Sequence, residues 1–226
     1  MSEPTSAVLQ GLLVVMAVGF FLLHAAENNQ LVARVSGYRR GKIAGGYQSA
    51  MEGMLISRVG AVLYHLLTSF YVENGGHVTA FLASILVCSF CLLVFNIFLL
   101  NKLMSNTTNE ISEMFKLNRN KSLITASFIA PIFILFGLSI PYALGMVFFD
   151  YRLTLANTGF LFNSFFTLVT VIVIDKRISA AIDDVNIDPA RLVRLVLRSR
   201  IAGIGAFIVL LLIMMLQLLG GGFVGS

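Results

Sequence analysis

The chain has 226 residues, 58% of them hydrophobic and only 12% charged, with no Trp and a formal net charge of +5. Soluble domains carry charge on about a quarter of their residues, so a water-soluble globular fold is excluded. The composition is that of an integral membrane protein, and a mean hydropathy of +0.89 agrees with it.

A helix needs roughly 20 apolar residues to cross the hydrocarbon core, and six stretches meet that length: 7–26, 47–71, 78–100, 123–149, 153–174 and 200–219. The expected fold is all-α, a single transmembrane domain over 1–226 built as a polytopic helical bundle. The first stretch is preceded by Glu3 and no cation, so it reads as a retained span and not as a cleaved signal. Its basic flank follows it, in the strip ARVSGYRRGKIAGG at 33–46, which reads as a cytoplasmic loop and places the N-terminus outside. Six spans then put both termini outside, and the three cytoplasmic connections hold fourteen of the 16 Lys and Arg residues. The pI near 9.5 follows from this topology and calls for no nucleic acid. Arg34, Arg39 and Lys42 in the strip are also what an anionic lipid headgroup would meet, and Gly37, Gly41, Gly45 and Gly46 let backbone come close to a partner.

At the end of the first span His24 and Glu27 share one face and are followed by Asn28, Asn29 and Gln30. They form either the inner mouth of a polar cavity or a helix end whose tips reach for the interface. The second span holds Glu52, Arg58 and His65 among lipid-compatible residues, with Arg58 near its midpoint. An Arg at that depth costs about 2.5 to 3.5 kcal/mol on insertion scales, so it needs a partner or a watery cavity. Arg58 and His65 are seven positions apart and share a helix face. Glu52 or Glu27 would be the structural partner of Arg58, and a substrate path is the functional alternative.

In the third span Cys88 and Cys91 have redox spacing, but an apolar helix makes small buried residues the better reading. Asn106, Thr107 and Thr108 match a glycosylation acceptor on the cytoplasmic side, where it would go unused. The fourth span contains Pro131 and Pro141, each removing a helical hydrogen bond, so a kink and a hinge are expected. Neutral polar residues stud the fifth span, among them Asn157, Thr158, Asn163, Thr167 and Thr170, and suit contacts between helices. Asp183, Asp184 and Asp188 suggest a metal cluster, yet Asp188 and Pro189 read more economically as the start of a basic helix. No nucleotide-binding glycine loop or nucleophile motif stands in the chain, so no enzyme activity, metal or cofactor is expected.

The residues His24 to Glu27, Arg34 to Arg39 with Lys42 to Ala44, and Ser57-Arg58 resemble the opening of the Amj-type lipid II flippase family, the alternate to the MurJ-type flippases. The similarity resumes at Ile174 to Ser179, at Asp184, and from Leu192 to Gly203. The resemblance implies a protein of the bacterial plasma membrane that moves undecaprenyl-pyrophosphate-linked cell-wall precursor between leaflets, with that lipid and the surrounding membrane lipids as its partners. It implies a substrate-binding set that includes Asp175 and Asp184. In this scheme Arg58 holds the pyrophosphate at mid-depth, Arg34, Arg39 and Lys42 collect it at the cytoplasmic mouth, and His65 and His24 assist. Glu27 and Glu52 compete for the arginines when the site is empty. A small secondary transporter of an anionic solute would use the same buried charges but enclose them from lipid. A membrane-embedded polyprenyl-phosphate transferase would use Asp175, Asp183 and Asp184 with a divalent cation.

Overall fold

A computed structural model of the chain describes residues 6–104, 121–183 and 188–220. The elements are α1 (Ser6–Arg39), α2 (Ile43–Glu73), α3 (Val78–Met104), α4 (Lys121–Val147), a short 3-10 turn (Phe149–Tyr151), α5 (Arg152–Val169), a π-helical stretch (Thr170–Asp175), α6 (Lys176–Asp183) and α7 (Pro189–Gly220). Because α5, the π stretch and α6 run on without a break, they form one long rod. Six rods are thus long and apolar enough to cross a membrane, and there is no strand among the described residues. This is the all-α polytopic bundle expected from the sequence.

The rods outrun the apolar windows. The first does not stop at residue 26 but continues to Arg39, and the last starts at Pro189, about three turns ahead of the expected span. Polar residues at the ends of a membrane helix do not break it, and cations in its last turn favour the helix dipole. The basic strip is therefore mostly helix and not a loop, with only Arg40, Gly41 and Lys42 between α1 and α2. There Gly41 takes φ +65°, while Lys42 N–H donates to the Gly37 carbonyl at 2.9 Å and Gly41 N–H to that of Tyr38 at 3.0 Å. That is a Schellman cap. A second one, with Gly75 at φ +72°, closes α2 and turns the chain into α3. At the start of α7, Asp188 Oδ1 accepts from Ala190 N–H at 3.0 Å and Pro189 occupies the first helical position, the helix start the sequence suggested.

The α1–α2 hairpin is held by a seam of small residues. Gly46, Ala50, Gly53, Ser57 and Gly60 recur every three or four positions along the buried edge of α2. A Cβ on Gly60 would stand 2.8 Å from Leu23 N and 2.9 Å from Gly19 O, so the two backbones nearly touch. Of the strip glycines, Gly37 and Gly46 meet in this way, while Gly41 serves the turn. The other helices complete the bundle, with α4 against α5 and α7, and α3 against α1 and α7. α4 stays helical through both prolines, each of which abuts a glycine of a neighbour: Pro131 meets Gly203, and Pro141 meets Gly159. Cys88 is buried, but Cys91 is exposed on the outer face of α3 and does not belong to the packed interior.

Two separate apolar cores result. One, toward the α2–α3 turn, gathers Met16, Phe20, Tyr64, Phe81, Leu138 and Phe207. The other, toward the α1–α2 turn, gathers Val32, Val35, Leu99, Ile178, Val193 and Val196. What separates them is a layer of polar side chains.

Candidate functional site

The polar layer lies where the buried stripe of α1 changes from Phe20 and Leu23 to His24, Glu27 and Asn28 before becoming apolar again at Leu31. Facing it on α7 is Arg200, in a stripe that otherwise reads Val193, Leu197, Ile204, Phe207 and Leu211. Arg200 is only 6% exposed, and its Nη1 donates to Asn28 Oδ1. His24, 5% exposed, sets its ring edge on Phe20 with centroids 4.9 Å apart and its Nδ1 at 4.0 Å from Glu27 Oε2. Glu27 is less covered, its side chain 26% exposed, and Arg200, Arg58 and Asp175 all act on it electrostatically.

Between α1, α3, α4 and α7 these groups line a cavity of about 20 Å³, room for a water molecule, closed by Leu92, Pro131 and Ile204. His24 Nε2 and Arg200 Nε are buried with no hydrogen-bond partner, as are Asn96 Oδ1 and Ser127 Oγ. Such atoms in a native interior call for a water, an ion or a function. The proline contributes here too. Lacking an N–H, Pro131 withdraws the donor that would serve the Ser127 carbonyl in a regular helix.

Toward the α1–α2 turn, Arg34 Nη1 lies 3.8 Å from Asp175 Oδ2 and its guanidinium 5.7 Å from the centre of the Tyr47 ring. This ties α1 to the π stretch, a distortion that recurs at functional positions. Toward the other end, His65 Nδ1 and the Tyr142 hydroxyl are 2.7 Å apart, and the His65 ring meets Phe160 of α5 at 5.8 Å. Between these two ties α2 and α5 are not packed along their lengths. Arg58 belongs to the face of α2 that closes at His65, but at its own level that face is exposed.

Arg58 is therefore not enclosed in the bundle, and among the described residues it makes no hydrogen bond or ion pair. Glu52 is not its partner: the Glu52 carboxylate accepts from Gln48 Nε2 at 3.4 Å on the exposed face of α2. Arg39 and Lys42 are exposed at the hairpin turn, away from the layer. Asp175 joins the layer, Asp183 is exposed, and Asp184 lies outside the described residues, as do Lys116, Arg119 and the Asn106 acceptor. On α5, Thr158 bonds back to Thr154 O at 2.8 Å, and at the start of the π stretch Thr170 Oγ1 is buried without a partner.

Arg200 is what the sequence reading missed, because counting it among the cytoplasmic cations hid its place on an apolar stripe. Its spacing of three, four and seven from Val193, Val196, Leu197, Gly203, Ile204 and Phe207 was the available signal.

No protein-family model, no curated protein and no solved structure matches this chain. Fold and site together define its class: a multi-pass helical membrane protein with a charged layer between two apolar cores.

Proposed function

We propose that the chain is a flippase that carries undecaprenyl-pyrophosphate-linked peptidoglycan precursor, lipid II, across the bacterial plasma membrane. The observation that carries this reading is Arg58, a cation in the middle of an apolar rod, exposed on a face of α2 that α5 does not cover, yet within electrostatic reach of Glu27 and the buried layer. An intramembrane charge of this kind marks a substrate path. A lateral opening suits a cargo whose prenyl tail stays in hydrocarbon while its pyrophosphate moves through polar surroundings. A guanidinium binds pyrophosphate oxygens in bidentate fashion, and Arg34, 3.8 Å from Asp175, extends the track toward the α1–α2 turn. The carboxylates compensate the arginines when no lipid is bound, with Glu27 and Asp175 in that role.

The same opening disfavours the soluble-anion transporter, which would seal its charges from lipid. Of the carboxylates a transferase would use, Asp175 lies 3.8 Å from the Arg34 guanidinium, Asp183 is exposed and Asp184 lies outside the described residues. The test is reconstitution of the purified chain into vesicles with fluorescent lipid II, read by a quencher that reaches only one leaflet. Transfer faster than in protein-free vesicles is expected. Equal rates in the two preparations overturn the flippase reading.

A further inference from the structure

The transport reading leaves two things unexplained: the cavity beside His24, and a glutamate placed between two arginines that makes no hydrogen bond among the described residues. From α1 the cavity receives His24, Glu27 and Asn28, and from α7 Arg200; α3 adds the neutral Leu92, and α4 the neutral Ala130, Pro131, Ile134 and Leu135. The other charges acting on Glu27 are Arg58 of α2 and Asp175 of the π stretch. His24 is the one imidazole among these groups, and its Nε2 is buried, unpartnered and on the cavity wall. Arg200 Nε, equally unpartnered, faces the same layer.

We infer that this cavity is a hydrated proton-exchange site, in which Glu27 takes up and releases one proton through cavity water and His24. The geometry supplies each part. The cavity has room for one water. Glu27 lines the cavity while its side chain is 26% exposed and within electrostatic reach of Arg58, so it borders both the cavity and the outer side. His24 Nδ1 reaches Glu27 while Nε2 is left to meet the water, the arrangement of a relay in which one ring nitrogen receives a proton as the other passes one on. The chemistry is a simple exchange: carboxylate and hydronium give carboxylic acid and water, and the reverse step returns the proton. It is driven by charge. When a pyrophosphate engages Arg58, an ionised Glu27 would face a second anion sharing that cation, and protonation removes the conflict. On release of the pyrophosphate, the arginines draw the proton off again. Each lipid moved thereby carries one proton with it in the same direction.

The cargo in this scheme rests on the flippase reading, whereas the proton site does not, and the experiment separates them. In the purified full-length chain in lipid nanodiscs, pH-difference infrared spectroscopy is expected to show a protonated-carboxyl stretch that Glu27→Gln removes and Glu27→Asp retains at a shifted position. In vesicles with fluorescent lipid II and the membrane potential clamped at zero, a gradient of about one pH unit should shift the steady-state leaflet ratio about tenfold for one proton per lipid. Glu27→Gln should abolish that shift. Flipping by the wild type with a leaflet ratio that ignores the gradient overturns the coupling and leaves the flippase standing. If the wild type does not flip, the flippase reading falls and the infrared band decides the site: a carboxyl signal unchanged in Glu27→Gln overturns it.

Discussion

Two arginines act on Glu27 in this bundle and have opposite surroundings. Arg200 is enclosed, gives a hydrogen bond to Asn28, and is within reach of two carboxylates. Arg58 is exposed, unbonded among the described residues, and next to only one of those carboxylates. Burying a charge is tolerated when it is paired and bonded, and the layer around Arg200 meets that condition as a structural element. Nothing comparable compensates Arg58, so its retention in an apolar rod is better explained by what it binds. On the proposed function, the contrast separates a charge that organises the bundle from one that binds the ligand.

The comparison yields graded expectations. Arg200→Ala should be the most damaging single change, because it strands Asn28, Glu27 and Asp175 together. Removal of one member of a buried charged group costs about 3 to 5 kcal/mol. Denaturant unfolding of the purified protein in detergent should report that loss, and a change below about 1 kcal/mol would move Arg200 out of the structural class. Next, Gly60→Ala pushes a methyl into the backbone of α1, where Leu23 N and Gly19 O cannot yield. Overpacking of this kind costs about 1 to 3 kcal/mol. Since the seam also sets how far Arg58 stands from Glu27, flipping should fall along with stability. Unaltered unfolding would mean that the hairpin is looser than its close contacts imply. The smallest effect belongs to Glu52→Gln. Its carboxylate pairs with Gln48 on an exposed face and not with Arg58, so vesicle flipping and the unfolding midpoint should both match the wild type. A large transport defect in that variant would restore Glu52 to the site.

Much of this was legible before any coordinates. The six rods follow from apolar length, and the start of α7 from Asp188 and Pro189. What hydropathy windows do not report is where a helix ends, because they measure hydrocarbon thickness. Leu31 to Arg39 stays helical although it leaves the apolar window, and the stop is set instead by Gly41 in its left-handed conformation. The site was half legible. His24, Glu27 and Arg58 stand out because ionisable groups in apolar stretches are conspicuous in a sequence. Which of them face inward is a matter of helix phase. Glu52 and Arg58 lie off the Gly46, Gly53, Gly60 edge and turn outward, while Arg200 lies on its helix's apolar stripe and turns in. Phase can be read from spacing, but a count of loop cations conceals it. A cavity at His24 and Glu27 was one of two readings the sequence allowed, but its other walls were not legible, since they depend on Pro131 and Arg200 meeting Asn28 across three helices.

The most direct test of the central claim is the leaflet-transfer rate of Arg58 variants in vesicles, alongside their unfolding midpoints. If Arg58 holds a pyrophosphate, Arg58→Lys should be slowed because it loses the bidentate fork, and Arg58→Ala should fall to the protein-free rate, with both variants as stable as the wild type. Wild-type transfer by a normally folded Arg58→Ala would contradict the account.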